Sequence, residues 1–62
     1  MSPRITLKYD YMTGQSALAW FLVIDGKRFF PPKSLCEIDT EERTIEVPYW
    51  LAEKNGLEAY EV

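Results

Sequence analysis

The sequence has no histidine, a single cysteine and no long apolar run, and each shortage excludes a class of protein. Histidine is the commonest general acid–base side chain near neutral pH, so its absence argues against catalysis. No P-loop, dinucleotide-binding or nucleophile-elbow motif is present either. One thiol without any imidazole provides too few ordinary ligands for a tetrahedral zinc site. We therefore predict a protein that is not an enzyme and that uses no metal or cofactor.

The single cysteine, Cys36, also limits how the chain can be stabilised. It cannot form an internal disulfide, which fits a reducing compartment, and we expect it to be a small core residue. The 62 residues form one domain, residues 1–62, and such a domain buries only about 60% of the surface of its unfolded chain. Small domains without a disulfide or a metal gain stability from a partner subunit. The sequence therefore predicts a homodimer or a higher oligomer.

The longest apolar run covers residues 17–24 and has eight residues. A membrane span needs about 18, so no membrane association is expected. The N-terminus shows no signal-peptide pattern. We expect a cytoplasmic protein.

The first half of the chain predicts two strands and a hairpin. Residues 4–11 alternate polar and apolar side chains, with Tyr11 on the apolar side, which is typical of a half-buried strand. Residues 12–16 are rich in turn formers and predict a loop. The run at 17–24 predicts a strand that is covered on both faces. Asp25-Gly26 then predicts a type I′ turn, which pairs this strand with residues 27–30 and places Leu22 opposite Phe29.

The second half predicts another hairpin and a helix. Residues 35–38 and 44–47 pair if Ile38 lies opposite Ile45, and Pro48 and Gly56 bracket a short helix as its first residue and its cap. Residues 57–62 form a short strand or a tail. The predicted fold is α+β: a small twisted antiparallel sheet of four to five short strands with one short C-terminal helix.

Nine aromatic residues are more than a small sheet can bury alone, and aromatic side chains anchor protein interfaces. Some of them must form the core. We expect others to meet another chain, either a second copy through the hairpin of residues 17–30 or a different protein. The candidate interface residues are Trp20, Phe21, Phe29, Phe30, Tyr49 and Trp50.

Charge is distributed unevenly along the chain. Residues 1–34 carry a balance of +3 and residues 35–62 a balance of −6, although the formal net charge is only −3. Basic residues beside aromatics suggest contact with a small anionic nucleotide or with single-stranded nucleic acid. The acidic pI of about 4.7 makes duplex nucleic acid an improbable partner. The candidate anion ligands are Lys27, Arg28, Lys33 and Ser34.

Three motifs occur in order within residues 22–57: D-G-K, P-K-S-x-x-E and V-P-x-W-L-A-x-K-x-G-L. In this order they resemble short proteins encoded by bacteriophages and mobile elements. Such proteins place a D-G hairpin before an acidic hairpin and a short helix. This chain departs from the pattern at residues 29–32, where it has two phenylalanines followed by two prolines. Those proteins often have an aromatic residue followed by a single proline. The resemblance implies a setting, stoichiometric binding inside a host cell, and assigns no role to any residue.

Three functions are compatible with these features. The first is a non-enzymatic phage-type inhibitor that binds a protein of a host defence or regulatory complex. The second is an oligomeric sponge that sequesters an anionic signalling nucleotide. The third is a module that binds single-stranded nucleic acid, whose affinity would fall steeply with added salt.

Overall fold

The computed structural model describes residues 3–62, which form two three-stranded antiparallel sheets, one short α-helix and two 3-10 turns. The first sheet has the order β1-β6-β5 and the second the order β2-β3-β4. The strands are β1 Arg4–Lys8, β2 Tyr11–Gln15, β3 Trp20–Ile24, β4 Lys27–Phe29, β5 Glu37–Asp39 and β6 Thr44–Pro48. Helix α1 covers Tyr49–Lys54, and the 3-10 turns cover Lys33–Leu35 and Glu58–Tyr60. The fold is broadly α+β, as predicted, but its six strands form two sheets rather than one.

The predicted strand over residues 4–11 is wrong because the chain changes sheets at Tyr9 and Asp10. The backbone N–H of Tyr9 donates to the carbonyl of Arg43, in the turn just before β6 of the first sheet, and that of Asp10 donates to the carbonyl of Val23 in the second sheet. A carboxylate oxygen of Asp10 also accepts a hydrogen bond, at 2.8 Å, from the backbone N–H of Asp25. The predicted loop over residues 12–16 is consequently mostly strand β2.

The predicted hairpin between β3 and β4 is confirmed in its register. Leu22 lies opposite Phe29, Val23 opposite Arg28, and Ile24 opposite Lys27. Both turn residues have positive φ, 50° at Asp25 and 77° at Gly26, as a type I′ turn requires. The strand itself is shorter than predicted, because only residues 20–24 of the apolar run belong to β3.

The second predicted hairpin is also present, with Ile38 opposite Ile45. Helix α1 begins one residue later than predicted, so Pro48 precedes its first residue. At its other end Gly56 has φ of 70°, and Leu57 donates a backbone hydrogen bond to Ala52. This is the pattern of a Schellman cap, which satisfies the last carbonyls of the helix. Residues 58–60 form a 3-10 turn rather than a strand, followed by a single bridge between Glu61 and Leu7.

The core lies between the two sheets and under the helix. Both sheets contribute apolar side chains from alternate positions, and α1 adds Leu51 and Ala52. The most completely buried large residues are Leu7, Leu22, Ile24, Ile45, Leu57, Val47 and Pro31. Among residues 3–62, no helix has the length and apolar character needed to cross a membrane.

Candidate interaction surface

The two sheets present very different outer faces. On the first sheet the outward positions are polar, and Arg4 forms an ion pair with Glu46 at 2.9 Å across β1 and β6. Glu37 and Asp39 of β5 are exposed beside it. On the second sheet the outward positions are mostly apolar or aromatic. A sheet that faced only solvent would be expected to carry polar side chains on its outer face, so this second face is the candidate site.

We define the outer aromatic surface as the side chains on that face of the second sheet. The register aligns Tyr11 with Val23 and Val23 with Arg28, so these three residues share a face. Phe21 lies two residues before Val23, and Phe30 two residues after Arg28, on the same side. Tyr11 and Phe30 are 55% and 56% exposed, whereas Val23 between its neighbours is only 8% exposed. The surface thus has a covered aliphatic centre and exposed aromatic flanks.

Phe21 and Phe30 form the aromatic pair of this surface. Their ring centroids lie 5.5 Å apart at an interplanar angle of 89°, the edge-to-face geometry that aromatic pairs favour. Gly14 of β2 lies opposite Phe21, and a β-carbon built on Gly14 would lie 3.5 Å from that ring. A side chain at position 14 would therefore begin in van der Waals contact with the Phe21 ring.

Arg28 is the one charged side chain that the register places on the outer aromatic surface, among the residues described here. It belongs to β4 and is exposed. No ion pair involves Arg28 within residues 3–62, where the one salt bridge joins Arg4 and Glu46. The surface consequently combines apolar contact area with one available guanidinium, a group that binds carboxylates in two parallel hydrogen bonds.

The six predicted interface aromatics divide into four groups. Phe21 and Phe30 belong to the outer aromatic surface. Phe29 is 2% exposed and belongs to the core, so the prediction that it reaches a partner is corrected. Trp20 is half-buried against the core, with the Lys33 ammonium 4.3 Å from its ring centroid. Tyr49 and Trp50 lie on α1, which packs mainly against β6, β1 and the C-terminal 3-10 turn.

The four predicted anion ligands do not converge. Lys27 follows the hairpin turn and lies over the Tyr60 ring, with its ammonium 5.5 Å from the centroid. Lys33 lies beyond the other end of β4, six residues along a mostly extended segment, which corresponds to roughly 15–20 Å. Its ammonium donates to Oε1 of Gln15 at 2.6 Å. Arg28 points to the outer face between them.

A shallow depression of about 500 Å³ adjoins Lys33 at the end of the second sheet. Its lining includes Leu18, which is 79% exposed, together with Pro32 and Ser34. Ser16 holds this loop, because its hydroxyl oxygen accepts hydrogen bonds from the backbone N–H groups of Leu18 and Ala19. The depression brings together one lysine and one serine, with no second cation in its lining.

Cys36 lies in the core and its thiol donates to the carbonyl of Pro32 at 3.2 Å. Burial raises the pKa of the Cys36 thiol, and the nearby Arg4 offsets only part of that rise. A raised pKa lowers the thiolate fraction, which agrees with the expectation of a structural residue. Within residues 3–62, no three potential metal-ligating side chains cluster.

Sequence reasoning missed two members of the outer aromatic surface. The alternation over residues 4–11 predicts one strand and places Tyr11 on its core side. The hairpin register places Val23 opposite Arg28, but the candidate interface residues are all aromatic, so this valine is not among them.

Comparisons with known proteins found no protein-family model, curated protein or solved structure that matches the chain.

Proposed function

We propose that this chain is a non-enzymatic protein that acts by stoichiometric binding of another protein, through the outer aromatic surface. The observation that carries the proposal is the contrast between the outer faces of the two sheets. Tyr11 and Phe30 are more than half exposed on one of them, next to Phe21, while the other is covered by charged and hydroxyl side chains. Exposed aromatic clusters beside an arginine are the usual composition of protein-binding hot spots.

The chemistry of the surface defines the kind of partner. Its centre is apolar and its one charge is the Arg28 guanidinium, so a matching segment has apolar side chains and a carboxylate. Consistent with the resemblance to phage-encoded proteins, the proposed partner is a protein of a host defence or regulatory complex, which the chain would inhibit by occlusion. Such inhibition needs no catalytic group, in keeping with the lack of histidine.

The test compares two exposed aromatic residues on different elements. Phe30 and Trp50 are 56% and 47% exposed, so Phe30→Ser and Trp50→Ser remove similar groups from the outer aromatic surface and from α1. Tagged wild-type chain is used to isolate a partner from bacterial lysate, and the purified pair is then titrated by calorimetry. We expect one partner per chain, and an affinity that Phe30→Ser lowers about 30-fold, the effect of a hot-spot residue.

Trp50→Ser is the matched control and should leave the affinity nearly unchanged, with circular dichroism showing that both variants are folded. The partner's activity should fall as wild-type chain is added and stop falling at equimolar ratio. If Phe30→Ser binds as tightly as the wild type, or if Trp50→Ser is the damaging change, the outer aromatic surface is not the binding site.

A second candidate function is binding of an anionic nucleotide in the depression beside Lys33. The observation in its favour is that Lys33 and Ser34 line that depression next to the half-buried Trp20 ring. Calorimetry against a panel of cyclic and ADP-ribose-type nucleotides tests it, with Lys33→Gln as the variant that should abolish any heat. Absence of heat with every nucleotide in the wild-type chain would leave protein binding as the function.

A further inference from the structure

Strand β2 forms an edge of the second sheet, and the three other edges carry charged residues, prolines or a covering segment that β2 lacks, although β2 itself contains a bulge. β1 is covered by the C-terminal segment, through the Leu7–Glu61 bridge and a backbone hydrogen bond from Val62 to Thr6. β5 has three residues, of which Glu37 and Asp39 are charged and exposed. Charges and short strands are the ordinary means by which proteins prevent edge-to-edge pairing.

The remaining protected edge is β4, at the other side of the second sheet. It also has three residues, two of them charged, and Pro31 and Pro32 follow it closely. Proline has no backbone N–H, so a further strand could not continue along this segment.

Strand β2 lacks these features. It has five residues, Tyr11–Gln15, with no charged residue and no proline. Within residues 3–62 it pairs with β3 alone, so one row of its backbone N–H and C=O groups has no strand partner. Its one irregularity is a bulge between Met12 and Gly14, where the Thr13 hydroxyl donates to the carbonyl of Phe21 at 3.3 Å.

We propose that β2 pairs antiparallel with β2 of a second copy, which joins the two second sheets into one six-stranded sheet. Antiparallel pairing of identical strands is two-fold symmetric and closes on itself, so it gives a dimer rather than a filament. The bulged residue Thr13 is the midpoint of the strand. A register centred on Thr13 places Tyr11 opposite Gln15 of the partner copy and brings no two charges together.

Electrostatics favour this edge arrangement over the packing of two outer aromatic surfaces face to face. Each such surface carries one arginine, Arg28, and no carboxylate, so stacking two copies would enclose two like charges. In the six-stranded sheet the two β4 strands lie at opposite edges, five strand spacings or about 24 Å apart. At physiological ionic strength charges at that distance are screened from one another.

The dimer has a structural consequence for the outer aromatic surface. Two-fold symmetry about an axis through the β2 pair keeps the outer faces of both sheets on the same side. Tyr11, Phe21 and Phe30 of both copies then form one continuous surface of doubled area, with an arginine toward each end. The dimer does not depend on the proposed function, because it uses the edge of β2 and leaves that surface open.

The first experiment measures self-association. Sedimentation equilibrium of the wild-type chain from about 10 µM to about 1 mM should show a monomer–dimer equilibrium. Thr13→Lys places two ammonium groups opposite each other at the centre of the strand pair and should weaken the dimer about tenfold or more. Thr40→Lys makes the same change in the exposed turn after β5 and should leave the dimer unchanged.

The second experiment measures the register and remains informative if Thr13→Lys fails to fold. Directly opposed residues of an antiparallel pair have β-carbons about 4.5–5.5 Å apart, close to disulfide geometry. Oxidation of Thr13→Cys by copper phenanthroline should therefore give a covalent dimer on a non-reducing gel, whereas Thr40→Cys should remain monomeric. Both variants retain the buried Cys36, so the wild-type chain controls for its contribution.

Three results would overturn the proposal. One is a wild-type chain that stays monomeric at the highest concentration. Another is a dimer that Thr13→Lys leaves intact or that Thr13→Cys does not link. The third is a dimer that Phe30→Ser dissociates, since that would place the interface on the outer aromatic surface. Loss of partner binding in Phe30→Ser with an intact dimer would instead support both proposals.

Discussion

Phe29 is the last residue of β4 and Phe30 follows it directly, so their side chains lie on opposite faces of the second sheet. Phe29 faces the core, where it is 2% exposed, and Phe30 faces outward at 56% exposure. Truncation of a buried phenylalanine leaves a cavity, so Phe29→Ala should lower the free energy of unfolding by about 3–5 kcal/mol. Phe30→Ala loses mainly the edge-to-face contact with Phe21 and should cost about 1 kcal/mol.

Urea denaturation followed by tryptophan fluorescence measures both changes. A 62-residue domain has a total stability of about 3–9 kcal/mol, so Phe29→Ala should lose a large part of it and unfold at a much lower urea concentration than the wild type. Equal costs for the two variants would show that the register of β3 and β4 is wrong.

Glycine 56 differs from glycine 14 in the backbone conformation it must adopt. Gly56 has φ of 70° at the end of α1, a region that costs an L-residue about 1–2 kcal/mol. Gly56→Ala should therefore lower the thermal midpoint. Gly14 has no positive φ of this kind, and a β-carbon there would make an ordinary contact of 3.5 Å with Phe21. Gly14→Ala is the matched control, and its midpoint should lie close to that of the wild type by calorimetry.

At the scale of elements, a side-chain hydrogen bond connects the C-terminal 3-10 turn to the turn between β3 and β4. The Tyr60 hydroxyl donates to Asp25 at 2.6 Å. This hydrogen bond, with smaller contributions from burial and from the Asp25 and Asp10 charges, raises the pKa of Tyr60. Burial likewise raises the pKa of Tyr9. The charge of Asp39 raises this pKa further, and the charge of Arg43 lowers it in part.

Both shifts have the same consequence for stability at high pH. A phenol whose pKa is higher in the folded state holds its proton more tightly there than in the unfolded chain. The stabilisation is complete below the unfolded pKa of about 10 and is lost as the pH rises through the folded pKa. The raised pKa of the buried Cys36 thiol acts in the same way from about pH 8.5, so stability measured by urea denaturation should begin to fall there and fall more steeply above about pH 10. Tyr60→Phe should make that fall shallower, and an unchanged slope would contradict the link to Asp25.

The sequence was sufficient to predict elements whose signals are local. The Asp25-Gly26 turn fixed the register of β3 and β4, and Gly56 marked the end of α1. The division into two sheets was not predictable, because it depends on contacts between distant residues. The carboxylate of Asp10 accepts a hydrogen bond from the backbone N–H of Asp25, and the backbone N–H of Tyr9 donates one to the carbonyl of Arg43. Since alternation continues through the break, nothing in the periodicity shows that Tyr11 changes from the core side to the outer aromatic surface.

For the molecule as a whole, the positions of its cations bear on whether it binds nucleic acid. A chain that binds single strands needs a basic groove beside its stacking aromatics. Here Lys27 and Lys33 lie at opposite ends of the second sheet, each over an aromatic ring, and Arg4 is paired with Glu46. The net charge of −3 adds a general repulsion of phosphates.

We therefore predict negligible affinity for single-stranded DNA or RNA at physiological salt. Fluorescence anisotropy of a labelled 20-nucleotide thymidine strand should show a dissociation constant weaker than about 100 µM at about 150 mM salt, where even nonspecific binders often do better. Lowering the salt to about 20 mM should produce little gain, because few counterions would be released. Arg28→Gln serves as the control, since this cation lies beside exposed rings and would carry any residual binding. Tight binding that weakens steeply with salt and disappears in Arg28→Gln would instead make the outer aromatic surface a nucleic-acid platform.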